Sequence, residues 1–540
     1  MNSTEWMDRS TRDFCGVEKL LKRLEFACPL GGMHLQARKV FQKGQEKQCR
    51  EHFARFRSLE ALESSGREQI HSACTVFRSI TESLQRLEKG GNMGVVDFFE
   101  IKRFVFHHNA LVDLIPQGMR DAFSFRALQP AWKKLDPHGK NRVFFSIESE
   151  YAEELRKLLN ENAHRKNRVF EQITRALEKK YEIPLKGRKE FVLSRQDIRT
   201  GVLRQSALVL VKKENTFSVH FEVRGDDRIL QLEKERAQLE NELEREEHRY
   251  LAQLQGELSP YAADLWEQFW AIGELDFCLA ALAFKDGTEG CFPVILEQPR
   301  IRVQRGENLE VRDACREQVR RYDALEGDFC SGVNLLIGAN MGGKTTALRT
   351  LGQLVFLVSL GIPVPAKSLQ TGLFDRVVSV FRDREEEGLS GFGSEVQRCS
   401  RVFEPGCFLA LVDEFGSSTN PPEGESLAMA VVENLDKRKD QCTLFVSHFP
   451  RTTSLVAKVF LAGVLRLVPG EELSNLDELY DRVDHSLQPV QPNVQVQGAL
   501  LVAGALGFPP AIVQRAQHFF AQGISQPGKP VEFEERKEKE

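Results

Sequence analysis

The stretch Leu335-Leu336-Ile337-Gly338-Ala339-Asn340-Met341-Gly342-Gly343-Lys344-Thr345-Thr346 constrains this chain more than any other. An apolar run ends at Gly338, and Gly338, Gly343, Lys344 and Thr345 fit the phosphate-loop pattern G-x-x-x-x-G-K-[ST]. The glycines let the backbone fold its N–H groups around phosphate oxygens without side-chain obstruction. Lys344 is then expected to reach the β- and γ-phosphates, with the Thr345 hydroxyl directed at Mg²⁺. A helix from Thr346 to Leu360 would point its positive N-terminal end at the same phosphates. The pattern implies a bound nucleoside triphosphate.

Two further segments place polar residues at strand ends. Phe408-Leu409-Ala410-Leu411-Val412 is a buried strand running into Asp413-Glu414. Two adjacent acids alone mark a solvent-facing turn. After five apolar residues and a phosphate loop they read as a site: Asp413 holds Mg²⁺ through water, and Glu414 polarises the attacking water. Thr443-Leu444-Phe445-Val446-Ser447-His448 is a third strand, and His448 at its end is placed to sense the γ-phosphate.

The rest of the chain divides by pattern. At 540 residues it has room for two or more domains. Residues 14 to about 180 read as successive helices, closing with a long one from Ser149 to Tyr181. Three short strands follow near Phe191–Leu193, Leu208–Val211 and Ser218–Val223, then a second long helix from Ile229 to Gly256. A small β element is thus inserted between two long helices. From Lys186 to Arg228 ten Lys/Arg stand against six Asp/Glu, an excess more typical of a solvated face than of a nucleic-acid grip. From Cys291 onward strand candidates at Val333–Ile337, Val377–Phe381, Phe408–Val412, Thr443–Val446 and Val459–Leu467 alternate with helices, as in a phosphate-loop ATPase sheet. Residues 493–521 hold a helix–turn–helix candidate, and 523–540 are polar and read as disordered.

Composition narrows the setting. The formal charge of −4 gives no global basic field. Eleven cysteines without a C-x-x-C pair argue against a zinc site or disulfide framework and suit reduced thiols in the cytoplasm. The N-terminus carries no signal pattern. The longest apolar stretch, Leu351–Val364, is too short to span a bilayer, so no membrane partner is expected.

These residues resemble the MutS-type ATPases. Gly338-Ala339-Asn340-Met341-Gly342-Gly343-Lys344-Thr345-Thr346 is similar to that family's phosphate loop, in which Asn-Met-Gly-Gly precedes the lysine. Asp413-Glu414-Phe415-Gly416-Ser417-Ser418-Thr419 followed by Glu423-Gly424-Glu425 resembles its Walker B segment and the loop beyond, and Gly388-Leu389-Ser390-Gly391-Phe392-Gly393-Ser394-Glu395 its signature segment. The resemblance implies an α + α/β fold: a helical core and lever domain at 1–290 with a clamp-like insert at about 186–228, then an ABC-type ATPase domain at 291–522. It implies ATP and Mg²⁺ as ligands, Glu423 near the nucleotide, and a homo- or heterodimer in which Ser390 reaches the partner's nucleotide.

Departures from the family pattern leave the coupled substrate open. With the helical series opening at Phe14 and a short polar tail, neither a mismatch-reading domain nor a nuclease-like one is expected in this sequence. The loop Ser418-Thr419-Asn420-Pro421 resembles MutS-like ATPases associated with reactivating cobalamin-dependent amino-acid aminomutases. Three readings remain: a DNA-associated ATPase acting on mismatched or branched DNA, an ATP-dependent factor that opens an aminomutase, and a structural long-helix protein with a regulatory nucleotide.

Overall fold

The computed structural model describes residues 6–338, 342–382, 391–465, 482–491, 499–505 and 507–524. The chain forms two compact units, one of residues 1–76, 115–124 and 270–540, the other of 77–114 and 125–269.

The larger unit is built on a six-stranded sheet among the described residues. Its strands are β1 (Gly332–Gly338), β2 (Arg376–Val380), β3 (Phe408–Asp413), β4 (Cys442–Val446), β5 (Lys458–Ala462) and β6 (Gln488–Val490), in the order β6-β5-β1-β4-β3-β2. All pair in parallel except β6, which runs antiparallel along β5. Parallel strands covered on both faces should be apolar throughout rather than alternating. That is so here: every residue of β4 is buried, as are Gly332–Ile337 of β1 and Phe408–Val412 of β3. The helices of this unit that lie nearest in sequence to the strand ends are α1 (Lys344–Ser359), α2 (Gly391–Arg401) and α3 (Pro421–Asp436). Thirteen of the sixteen residues of α1 are buried, so the apolar stretch at 351–364 is interior. No helix of the described residues is long and apolar enough to cross a membrane.

The strand expected at Val459–Leu467 is shorter. β5 stops at Ala462, Gly463 turns the chain at φ +72°, and Val464–Leu465 pairs instead with Val483–Asp484. A second sheet, absent from the sequence reading, joins Val294–Leu296, Ser368–Gly372, Ile301–Gly306 and Leu325–Phe329 in that spatial order. The N-terminal segment belongs to this unit as well. Trp6 is fully buried and donates its indole N–H to Phe374 O at 2.8 Å. Thr11, in the helix Arg9–Cys15, lies 3.0 Å from the Ser379 hydroxyl.

The second unit carries the two long helices, Glu150–Tyr181 and Asp227–Leu258, each about 48 Å long at 1.5 Å per residue. Ser149 and Asp226 cap their N-termini. Cross-contacts such as Arg156–Glu247 and Lys166–Glu233 set them antiparallel. The chain between them forms a three-stranded sheet, Glu190–Ser194, Ser218–Val223 and Val209–Glu214, with Ser218–Val223 central. A short helix, Ile198–Arg204, is an addition to the expected strands. Val219, Phe221 and Val223 pack on Ile173, Leu177 and Ile229, which anchors the insert to the end of the helix pair.

The C-terminal helices are Ala499–Ala505 and Pro510–Ile524, broken at Gly507 with φ +76°. The last helix passes the expected boundary at 522; the polar segment 525–540 lies outside the described residues.

Candidate functional site

The site forms where β1, β3 and β4 end side by side. β1 terminates at Gly338, whose φ of +146° and lack of room both require glycine: a Cβ there would sit 1.9 Å from Ala462 O. Gly343 then caps α1 in the left-handed region at φ +86°. Ala339, Asn340 and Met341 lie outside the described residues.

Lys344 opens α1 and is 5% exposed. Its Nζ donates to Gly338 O at 2.9 Å, closing the loop on itself. Burial pushes its pKa down, against the pull of Glu414 and Asp413. A desolvated cation folded against its own loop is well disposed toward an anionic ligand.

Thr345 donates its hydroxyl to Oδ2 of Asp413 at 2.9 Å. The other oxygen, Oδ1, is buried without a hydrogen-bond partner. Burial raises the Asp413 pKa, and the Thr345 hydrogen bond only partly opposes it. A carboxylate held at the end of β3 with one orphaned oxygen beside a hydroxyl fits a hard divalent cation such as Mg²⁺, which takes oxygen ligands. Thr345 and Asp413 are the residues that would hold it.

Glu414 follows with φ +58°, a left-handed conformation rare outside glycine. Its backbone N–H donates to Val446 O at 3.2 Å, and its Oε1 lies 2.6 Å from Nε2 of His448. That hydrogen bond is the largest influence on Glu414 and holds its pKa below the ordinary value. Asp413 and Glu414 at the end of β3 and His448 just beyond β4 therefore meet beside the phosphate loop.

A cavity of about 880 Å³ is lined by Gly342, Gly343, Lys344, Thr345, Thr346 and Glu414, and also by Tyr322 and His485. The sequence reading missed the last two. His485 stands over the loop, with Nδ1 3.4 Å from where a Cβ on Gly343 would be. Its backbone N–H donates to Asp323 at 3.1 Å. The Tyr322 hydroxyl accepts from Asn308 N at 2.7 Å, and burial pushes it up to about 12. Neither sits in a motif; their only sequence signal is an aromatic or imidazole in a polar run.

A second cavity, about 700 Å³, opens beside Thr345, Asp413 and Glu414 and is walled by Phe14, Arg349 and Arg398. Arg349 lies over the Phe14 ring and Arg398 over Phe381, and the two rings stack at 4.7 Å. The helix Arg9–Cys15 is thus part of the surroundings of the site, which no local pattern announced.

Glu423 lies exposed in the first turn of α3. Ser390 falls outside the described residues.

Residues 334–522 match the family model for MutS domain V. The chain is 26% identical over 463 residues to an "Endonuclease MutS2" of Streptococcus pneumoniae (strain P1031), covering 80% of this chain and 57% of that protein. It is 26% identical over 420 residues to the "Endonuclease MutS2" of Streptococcus sanguinis (strain SK36), covering 72% and 51%. A shorter match to the Streptococcus gordonii "Endonuclease MutS2" reaches 31% over 207 residues, 37% of this chain and 26% of that one. The chain spans about half the length of the longer matches.

Proposed function

We propose that this chain, a member of the MutS family, binds ATP with Mg²⁺, hydrolyses it, and couples the cycle to DNA through its long-helix unit. The observation that carries the ATPase reading is the convergence of Lys344, Thr345, Asp413, Glu414 and His448 at adjoining strand ends.

In this reading Lys344 exchanges its bond to Gly338 O for the β- and γ-phosphates, and the N-terminus of α1 adds its partial positive charge. Thr345 and Asp413 hold the cation, which neutralises charge on the phosphates when bound. Glu414 is ionised at neutral pH and orients the attacking water, while His448 fixes that carboxylate and senses the terminal phosphate. Tyr322 and His485, which also line the larger cavity, suit a flat base. Dimerisation through the ATPase region, with Ser390 of one subunit reaching its partner's nucleotide, completes the proposal.

DNA as the coupled substrate is supported by the relatives of the chain and by the insert carried on paired helices. One observation favours the other reading, an ATPase that opens a cobalamin-dependent aminomutase. Six of the ten cations counted in the insert, Lys189, Arg195, Arg199, Arg204, Lys212 and Arg228, are already ion-paired with acids of the same segment. Each such exposed pair has to open before its cation meets a phosphate, which takes a little from the gain on DNA contact.

The discriminating experiment is ATP turnover by the purified protein, with Lys344→Ala as control, without DNA and with homoduplex, mismatched or branched DNA at two salt concentrations. Stimulation that fades with salt is the expected result. Basal turnover indifferent to every DNA would overturn the DNA assignment and bring in the aminomutase as the next sample. Turnover equal in parent and Lys344→Ala would overturn the site itself.

A further inference from the structure

Glu395, an ionisable residue in α2, is 1% exposed. A buried carboxylate is expensive unless its oxygens are hydrogen-bonded. Both oxygens of Glu395 turn to one place. Oε2 accepts from Gly416 N at 3.2 Å, and Oε1 accepts from the Ser418 hydroxyl at 2.8 Å. These donors belong to the loop that begins at Glu414.

That loop needs holding. Glu414 and Gly416 both have positive φ, +58° and +84°. Glycine takes such a backbone freely, but a glutamate keeps it only when its surroundings impose it. Upstream, the β3–β4 pairing and the bond from Glu414 N to Val446 O fix the chain. Within the loop, Ser417 N donates to Glu414 O at 3.2 Å. Gly416 also abuts Gly424 of α3 so closely that a Cβ would sit 2.8 Å from Gly424 O. Phe415 is buried in the core and His448 holds the Glu414 side chain; a further restraint is the Glu395 carboxylate, which reaches in from α2.

We infer that Glu395 is a positioning residue for Glu414, holding the Glu414–Ser418 loop in its left-handed turn from α2, the helix that starts immediately after Ser390. The inference rests on the proposed ATPase function. Its consequence is that the setting of Glu414 depends on where α2 stands, so a displacement at the start of that helix reaches the carboxylate through two hydrogen bonds.

The test compares parent, Glu395→Ala, Glu395→Gln and Ser418→Ala in MgATP turnover, nucleotide binding and thermal melting. Glu395→Ala is expected to lower kcat at least tenfold while the dissociation constant for ATP stays within about threefold. Glu395→Gln retains an accepting oxygen and a similar volume, so it should recover part of kcat; Ser418→Ala, which removes one donor, should lose two- to fivefold. A purely structural Glu395 would instead lower the melting temperature and leave kcat of the folded protein unchanged, which overturns the inference. Should Glu395→Ala not fold, Glu395→Gln decides: a several-fold loss of kcat at unchanged ATP affinity supports it, and parent turnover overturns it. If the parent itself turns over no faster than Lys344→Ala, the ATPase reading and this inference fall together. A competent parent beside an indifferent Glu395 variant removes this inference alone.

Discussion

Nε2 of His448 lies 2.6 Å from Oε1 of Glu414, joining the ends of two neighbouring parallel strands through their side chains. The contact lowers the Glu414 pKa below its ordinary 4.5 and fixes one oxygen of the carboxylate. Removing the imidazole should therefore have two effects, on rate and on pH dependence. His448→Ala is expected to slow turnover by about tenfold or more, within the range of a lost acid–base or orienting group. The acid limb of its pH–rate profile should move to higher pH, because Glu414 then protonates more easily. A depressed carboxylate pKa stabilises the fold above its unfolded value and loses that contribution as pH falls through the folded one. The melting difference between parent and variant should accordingly narrow as pH drops below 4.5. With both side chains about one-third exposed the difference is small. An acid limb that does not move would show that His448 acts elsewhere.

Glu414→Gln keeps the shape of the residue and removes its charge. It is expected to bind ATP with near-parent affinity and to lose about two orders of magnitude or more in turnover. Rapid-quench measurement of a single turnover separates this from slow product release. Hydrolysis at the parent rate would remove Glu414 from the chemistry.

The pKa of Asp413 is shifted in the opposite direction. Burial raises its pKa, so ionising it in the folded protein is unfavourable, and its contribution to stability falls as pH rises from about 3.8 through the folded value. Its orphaned Oδ1 adds to the penalty. Asp413→Asn should therefore melt slightly higher than the parent without ligand, by roughly 1–3 °C, and lose the extra stabilisation that MgATP gives. An asparagine still accepts from Thr345, so the fold is expected to persist. The measurement is a melting curve with and without Mg²⁺ and ATP. A variant that is less stable without ligand, or that still responds to Mg²⁺ as the parent does, contradicts the assignment.

The parts of the site legible in the sequence are those whose chemistry and geometry are local. Gly338, Gly343, Lys344 and Thr345 lie within eight residues of sequence, and Asp413-Glu414 and His448 each follow an apolar run, so spacing alone brings them forward. The long helices are legible for the same reason, since a stripe of leucines at helical spacing needs no partner to be seen. What stays hidden depends on approach between distant segments. Tyr322 and His485 meet the phosphate loop from 22 residues before Lys344 and 141 after it. Trp6 and Thr11 dock on Phe374 and Ser379, and residues 1–76 cluster with the six-stranded sheet. The second sheet escapes sequence reading because Val294–Leu296 is only three residues long and Ile301–Gly306 and Leu325–Phe329 are short and mostly polar on one face.

Gly463 is another of these long-range constraints. It ends β5 at φ +72°, and a Cβ added there would lie 2.3 Å from Cα of Gly342 in the phosphate loop. The obstacle is backbone, which cannot swing aside as a flexible side chain can. Gly463→Ala therefore combines the strain of a positive φ, about 1–2 kcal/mol, with a push on the loop that carries Lys344. The protein should still fold, since the clash lies after β5 rather than within it. Its melting temperature is expected to fall by several degrees, and its ATP affinity by at least tenfold. Gly44→Ala separates the two contributions. Gly44 also has positive φ, +89°, but has open space around it, with nothing within 4 Å of an added Cβ. That variant should lose stability from backbone strain and bind ATP as the parent does. Equal ATP affinity in Gly463→Ala, Gly44→Ala and parent would mean that the phosphate loop does not lean on the end of β5.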